Sequence, residues 1–178
     1  IAYGHTLAES LAERWFSKKA VSGGGTLLDN GVHMIDMTRW YFGEVSEVSA
    51  QVGKYVLPKG DVEDNAIILL RLRNGAIASL QFSWSWWGAT GLEFEALCTN
   101  GTLTIEGSRL SYYKREAQTW VIPDLPRMDG WKEETRHFVE AVAEGREPFV
   151  TPKDGLQALK IALAAYESCQ TGKTIKLS

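Results

Sequence analysis

The sequence predicts an α+β domain: a large, mostly antiparallel sheet with helices packed on one face. Two patterns carry this. From residue 45 to about 123, apolar side chains recur at every second position in short runs joined by turn residues. On either side, at 27–42 and 131–170, apolar residues recur at three- to four-residue spacing.

In chain order, residues 1–5 read as the tail of a strand, and with Ile1 rather than Met at the start the natural N-terminus is expected to lie elsewhere. Residues 6–20 are expected to be helical, from Leu7, Leu11, Trp15 and Phe16. Ser22 and Gly23 to Gly25 break that helix, and a second runs over 27–42 and stops at Gly43. The clearest strand is 76–86: Ala78, Leu80, Phe82, Trp84 and Trp86 face the core, with Ile77, Ser79, Gln81, Ser83 and Ser85 on the other side. Asn74-Gly75 joins it to 65–73, and Asn100-Gly101 joins 92–99 to 102–106, both strong hairpin signals. Runs at 109–114 and 119–122 bring the count to about seven antiparallel strands in one sheet. Helices follow over 131–144 and 153–170, then a short strand at 173–177.

Composition excludes several classes. The 178 residues are 44% hydrophobic and 23% charged, which fits one ordinary globular domain rather than a disordered or fibrous chain. The net charge of −3 gives no basic footprint for nucleic acid, so no nucleic-acid partner is expected. No apolar run approaches the ~18 residues of a membrane span. Cys98 and Cys169 have no ligand-like spacing and read as ordinary buried thiols.

Candidate chemistry gathers on helix 27–42. Asp29, His33 and Asp36 stand at i, i+4 and i+7 on one stripe. Leu28, Val32, Ile35 and Phe42 form one apolar wall, Met34, Met37 and Tyr41 another, and Gly31 and Thr38 fill the remaining arc. A carboxylate beside an imidazole between such walls suits proton transfer. The same three residues also suit a solvated polar face or a set of metal ligands, and the helix alone leaves these open. No G-x-G-x-x-G follows an apolar strand, and there is no P-loop or nucleophile elbow. His5 ends the first strand, Trp87 stands where an aromatic can rim a cleft, and His137 is expected in solvent.

The run from Gly23 to Gly43, G-G-G-T-L-L-D-N-G-V-H-M-I-D-M-T-R-W-Y-F-G, resembles the signature opening the second domain of the Gfo/Idh/MocA oxidoreductases. Gly23, Gly24, Gly25, Leu27, Asp29, Gly31, His33 and Asp36 all fit it, and the tail agrees at Phe138-Val-Glu-Ala-Val, Pro148, Asp154-Gly-Leu-Gln-Ala-Leu and Gly172-Lys. The resemblance covers about residues 3–177. It implies the glyceraldehyde-3-phosphate-dehydrogenase C-terminal-like fold, preceded in such proteins by a Rossmann domain that is absent from these 178 residues and binds NAD or NADP. The family's E-K-P motif, with its catalytic lysine, does not occur here, so this chain alone is expected to bind no cofactor and to be inactive.

For single residues the resemblance implies that His33 is the acid/base for a substrate hydroxyl and that Asp29 binds a hydroxyl and tunes His33. Asp36 would hold the helix. His5, Asn30, Trp15 and Trp131 would line the pocket, and the glycines would let the cofactor approach. The implied protein is a cytoplasmic dehydrogenase of a sugar or polyol without a metal. It would form a homodimer or tetramer through the open sheet face, where Ser79, Gln81, Ser83 and Ser85 lie with Ser49, Gln51, Glu93 and Glu95 on one flat polar surface. A non-catalytic binding or oligomerisation module, and a metal-dependent isomerase or hydrolase using Asp29, His33 and Asp36, are the alternatives.

Overall fold

The computed structural model describes residues 1–6, 8–88, 91–126 and 128–178. Leu7, the first residue of the expected 6–20 periodicity, lies outside them. Among the described residues the strands form one nine-stranded sheet in the order β8-β7-β6-β5-β1-β4-β3-β2-β9. They are β1 (Ala2–Gly4), β2 (Val45–Gly53), β3 (Asn65–Leu72), β4 (Ile77–Ser83), β5 (Gly91–Cys98), β6 (Gly101–Glu106), β7 (Arg109–Lys114), β8 (Thr119–Val121) and β9 (Ile175–Lys176). The helices are α1 (Ala8–Leu11), α2 (Lys19–Ser22), α3 (Val32–Phe42), α4 (Gly130–Glu144) and α5 (Pro152–Thr171).

The seven strands of the middle region are present, and both Asn-Gly hairpins form. One pairing differs from expectation. β4 and β5, consecutive in sequence, do not pair; β1 sits between them, parallel to β4 (Tyr3 opposite Phe82) and antiparallel to β5 (Tyr3 opposite Leu92). Sequence proximity favours hairpins, but a strand from the chain start fills the gap here.

The core lies between the sheet and α3 and α5. Alternation is strict in β3, where Ala66, Ile68, Leu70 and Leu72 are buried and Ile67, Leu69 and Arg71 face out. Leu80 and Phe82 of β4, Val48 and Ala50 of β2, Leu27 and Ile35, and Ala158, Ile161, Ala162 and Ala165 of α5 complete it. Alanines on α5 let the helix lie close to the sheet. Trp84 heads a second cluster with Leu11, Ala12, Leu57 and Val62.

The expected single helix over 6–20 is not formed. α1 gives way to a 3₁₀ turn at Trp15–Ser17 and then α2, because Ser17 turns inward. Its hydroxyl donates to the Ala12 carbonyl at 3.1 Å and to that of Arg14 at 2.9 Å, diverting the backbone from a helical ladder. The wheel drawn for 27–42 also changes. Gly31 and Thr38, treated as the leftover arc, are buried with Leu27 and Ile35 against the sheet. A Cβ on Gly31 would lie 3.1 Å from the Phe82 ring, so glycine is what allows the helix its close approach. Trp86 is half-buried rather than core. Cys98, at the end of β5, is exposed and Cys169 half-buried, so neither is the buried thiol expected. His137 is half-buried, its Nε2 accepting from the Phe149 N–H at 3.0 Å.

The open face is less polar than expected. Rows cross it as Gln51, Ile67, Gln81, Ala2, Glu93 and as Ser49, Leu69, Ser79, so Ile67 and Leu69 interrupt the polar residues. Ser83 is not open surface: it is buried at the end of β4. Among the described residues no helix is long and apolar enough to cross a membrane.

The connection from β2 to β3 is tied by Asp64, which is fully buried. Its carboxylate accepts from the backbone N–H of Tyr55 (2.9 Å), Val56 (2.6 Å) and Leu57 (2.5 Å) and from the Asn65 amide (2.8 Å). Burial opposes the charged form, but the donors of Leu57, Tyr55, Asn65 and Val56 outweigh it, and Asp64 titrates below its ordinary value. A carboxyl lowered in the folded state stabilises above its unfolded-state value, and this is lost as pH falls through the folded value. Asp64→Asn should therefore cost about 2–3 kcal/mol near neutral pH, read by urea denaturation. The gap to the parent should close at acid pH.

Candidate active site

The candidate site is built on the turn that precedes α3. Residues Leu27–Gly31 form a single π-helical turn, a widening often found at functional positions. It begins at the glycine run and carries Asp29 and Asn30. The run is fixed from inside the protein. Glu63 is buried, and its carboxylate accepts from the N–H of Gly25 and of Leu27, both at 3.0 Å, and from the Tyr166 hydroxyl at 2.7 Å. Burial and then the Glu63 charge push the Tyr166 phenol far above its ordinary value, so it stays a donor.

This corrects the expectation that the glycines admit a cofactor. A Cβ on Gly25 would sit 1.8 Å from the Glu63 carbonyl oxygen, and one on Gly24 2.1 Å from the Tyr166 hydroxyl. The close approach these two glycines permit is to the chain's own interior. Gly23, at φ +82°, closes α2 in the left-handed conformation.

Asp29 is half-buried, and its Oδ2 accepts from the Trp84 indole N–H at 3.1 Å. His33 follows on the first turn of α3 with its side chain exposed. The expected pair of apolar walls does not enclose it, because the wall residue Tyr41 is itself exposed. Asp36 faces a different partner: Arg39 reaches it at 3.1 Å, Glu44 at 2.7 Å and the Asp154 carbonyl at 3.2 Å. Arg39 thereby ties α3 to the start of α5, and Asp36 belongs to that structural network. Among the described residues no group of three or more His, Cys, Asp or Glu is placed to hold a metal. Asp29, His33 and Asp36 do not converge as ligands.

The other expected positions divide. His5 is at this end of the sheet: its N–H donates to the Ser83 carbonyl at 2.9 Å, and its own carbonyl accepts from the Trp86 N–H at 3.2 Å. Its ring lies edge-on to Tyr3, with Nε2 2.9 Å from the Tyr3 hydroxyl. Trp15 is exposed and stacked on Phe16, which packs on the Trp84 cluster, so it stands near this end. Asn30 faces inward instead, 6% exposed, with its amide donating to Thr26 Oγ1 at 3.3 Å. Trp131, at the start of α4, is 83% exposed, and among the described residues no hydrogen bond or ring contact joins it to Asp29 or His33. Glu63 and Trp84 were not anticipated in these roles. An acidic residue just before a strand reads as a loop residue, and a tryptophan in period two reads as core.

The family described as oxidoreductase family, C-terminal alpha/beta domain, matches residues 2–177. The chain belongs to the Gfo/Idh/MocA oxidoreductases. It is 32% identical over 168 residues to the uncharacterized oxidoreductase YrbE of Bacillus subtilis, covering 88% of this chain and 49% of that protein. It is 29% identical over 175 residues to myo-inositol 2-dehydrogenase of Thermotoga maritima, covering 86% and 49%. The chain thus spans about half the length of the curated relatives it matches. Among solved structures, GenD2 from gentamicin A biosynthesis in complex with NAD superposes with a TM-score of 0.81 at 29% identity, over 99% of this chain and 54% of that one. Levoglucosan dehydrogenase in complex with NADH superposes with a TM-score of 0.88 at 23% identity, over 99% and 57%, a likeness of fold.

The glycine geometry makes two predictions for thermal or urea unfolding. Gly25→Ala should cost at least about 3 kcal/mol, the upper part of the overpacking range. Gly155→Ala, on an open stretch of α5, should stabilise by about 0.5–1 kcal/mol.

Proposed function

We propose that this chain is the substrate-binding half of a nicotinamide-dependent dehydrogenase acting on a hydroxyl of a sugar or polyol. The observation that carries the reading is the pairing on one short stretch: an anchored carboxylate at Asp29 and an exposed imidazole at His33 one turn later. Relatives named for inositol, apiose and levoglucosan dehydrogenases support the substrate class.

The residues present do not fit a dinucleotide. The sheet is mostly antiparallel, and the two buried glycines of the run are packed against Glu63 and Tyr166. NAD or NADP would be held by a preceding domain of the full-length protein, and when bound it supplies the hydride acceptor or donor. The work of this chain is binding and proton movement. Asp29 accepts a hydrogen bond from one substrate hydroxyl and so fixes the ring. His33 takes the proton of the hydroxyl being oxidised at its exposed imidazole nitrogen, or returns it in reduction. His5 and Trp15 border the same end of the sheet and would contact the substrate. The protein would act in the cytoplasm.

The open sheet face would join two copies. Ile67, Leu69 and Ile77 are each at least half exposed there among polar neighbours, a composition suited to an interface with a polar rim. Sedimentation should show a dimer or tetramer, and Leu69→Glu should shift it to monomer; a parent that sediments as monomer would refute the interface.

Full-length protein should oxidise at least one of myo-inositol, levoglucosan and D-apiose with NAD⁺ or NADP⁺. In that assay His33→Ala should lower kcat about 10²–10⁴-fold, the usual contribution of a general base. Asp29→Asn should mainly raise KM. Wild-type turnover in His33→Ala would leave the chain as a binding module.

A further inference from the structure

Trp84 is fully buried, yet it carries the one polar contact of the Asp29 carboxylate recorded among the described residues. We infer that Trp84 is a positioning residue, whose indole N–H pins Oδ2 of Asp29 and leaves Oδ1 for a substrate hydroxyl. The inference rests on the reading of Asp29 as a substrate-binding group.

The geometry restrains both partners. Trp84 follows the last residue of β4, and its backbone N–H donates to the Asp64 carbonyl at 2.9 Å. Its ring is packed among Leu11, Ala12, Leu57 and Val62, with Phe16 beside them. An indole N–H in such a place has no water to turn to, so losing its acceptor costs a desolvated donor. Asp29 sits on the π turn that Glu63 holds from the other side. The bond therefore joins two fixed points and selects one carboxylate rotamer.

The chemistry of the donor matters as much as its place. An indole N–H is neutral and donates once. It orients a carboxylate without cancelling its charge. Asp36, seven residues along, shows the contrast: its partner is the Arg39 guanidinium, which neutralises it. Among the described residues no cation forms an ion pair with Asp29. A charged, directed and partly exposed carboxylate is suited to an uncharged hydroxyl donor and repels an anionic group.

The test is a double-mutant cycle in the full-length protein, using the best-oxidised of myo-inositol, levoglucosan and D-apiose. Trp84→Phe should raise KM about ten-fold with kcat within about three-fold, as expected for loss of one hydrogen bond to a charged group. Added to Asp29→Ala, which removes the acceptor, it should cause little further loss, because the two residues act through one contact. In ¹⁵N spectra the Trp84 indole resonance should move in Asp29→Asn and on addition of the polyol. If Trp84→Phe does not fold, β-(3-benzothienyl)alanine at position 84 keeps the bicyclic shape, puts sulfur in place of the N–H, and gives the same comparison. A KM within two-fold of the parent after loss of the N–H, or losses that multiply with Asp29→Ala, would overturn the inference while leaving Asp29 as a substrate ligand. An unchanged KM in Asp29→Asn itself would remove both.

Discussion

The buried carboxylate of Glu63 is the point from which the candidate site hangs. It receives two backbone N–H groups from the glycine run and the π turn, and the hydroxyl of Tyr166 from α5. One side chain thus closes three segments far apart in sequence: the start of α3, the entry to β3 and the last helix. Without it the two N–H donors would be buried without partners, at about 1–3 kcal/mol each. The glycines follow from the same constraint. They occupy the space between Glu63 and Tyr166 that no side chain could share.

The two aspartates flanking His33 show how one stretch of sequence is divided between structure and chemistry. Asp36 is drawn into the Arg39 network that also takes in Glu44 and Asp154, and its charge is spent on joining α3 to α5. Asp29 is given a neutral donor, the Trp84 indole N–H. Spacing alone made them equivalent members of one stripe; their partners, just after β4 and within α3, separate them.

Much of the fold was legible because it depends on local periodicity. Alternation in β3 and β4, and glycine turns such as Asn74-Gly75, report themselves in a single sequence. Spacing set Asp29 and His33 on one candidate stripe with Asp36, and only the family signature set that pair apart. What was not legible depends on contacts distant in sequence. That Gly31 faces the core depends on the Phe82 ring it packs against. That β1 separates β4 from β5 cannot be read from turns. The breakdown of the 6–20 helix turns on Ser17, a small polar residue whose two carbonyl acceptors lie close by but whose burial is set by the Gly60–Asp61 loop, reached through the Asp61 N–H at 3.0 Å from its carbonyl.

The central position of β1 carries a consequence for how the domain is made. Three residues from the start of the chain lie between two blocks of sheet, β4-β3-β2-β9 on one side and β5-β6-β7-β8 on the other. Each block can zip up from its own hairpins soon after synthesis. Their union waits on a strand whose partners on one side are Gln81, Phe82 and Ser83 and on the other Gly91, Leu92 and Glu93. Until it inserts, both blocks present a raw edge of unpaired N–H and C=O groups in the middle of the eventual sheet, open to pairing with another chain. Closing that seam is a long-range step of the kind that slows folding. The strand that comes first in chain order within this sheet is thus among the last to find its place.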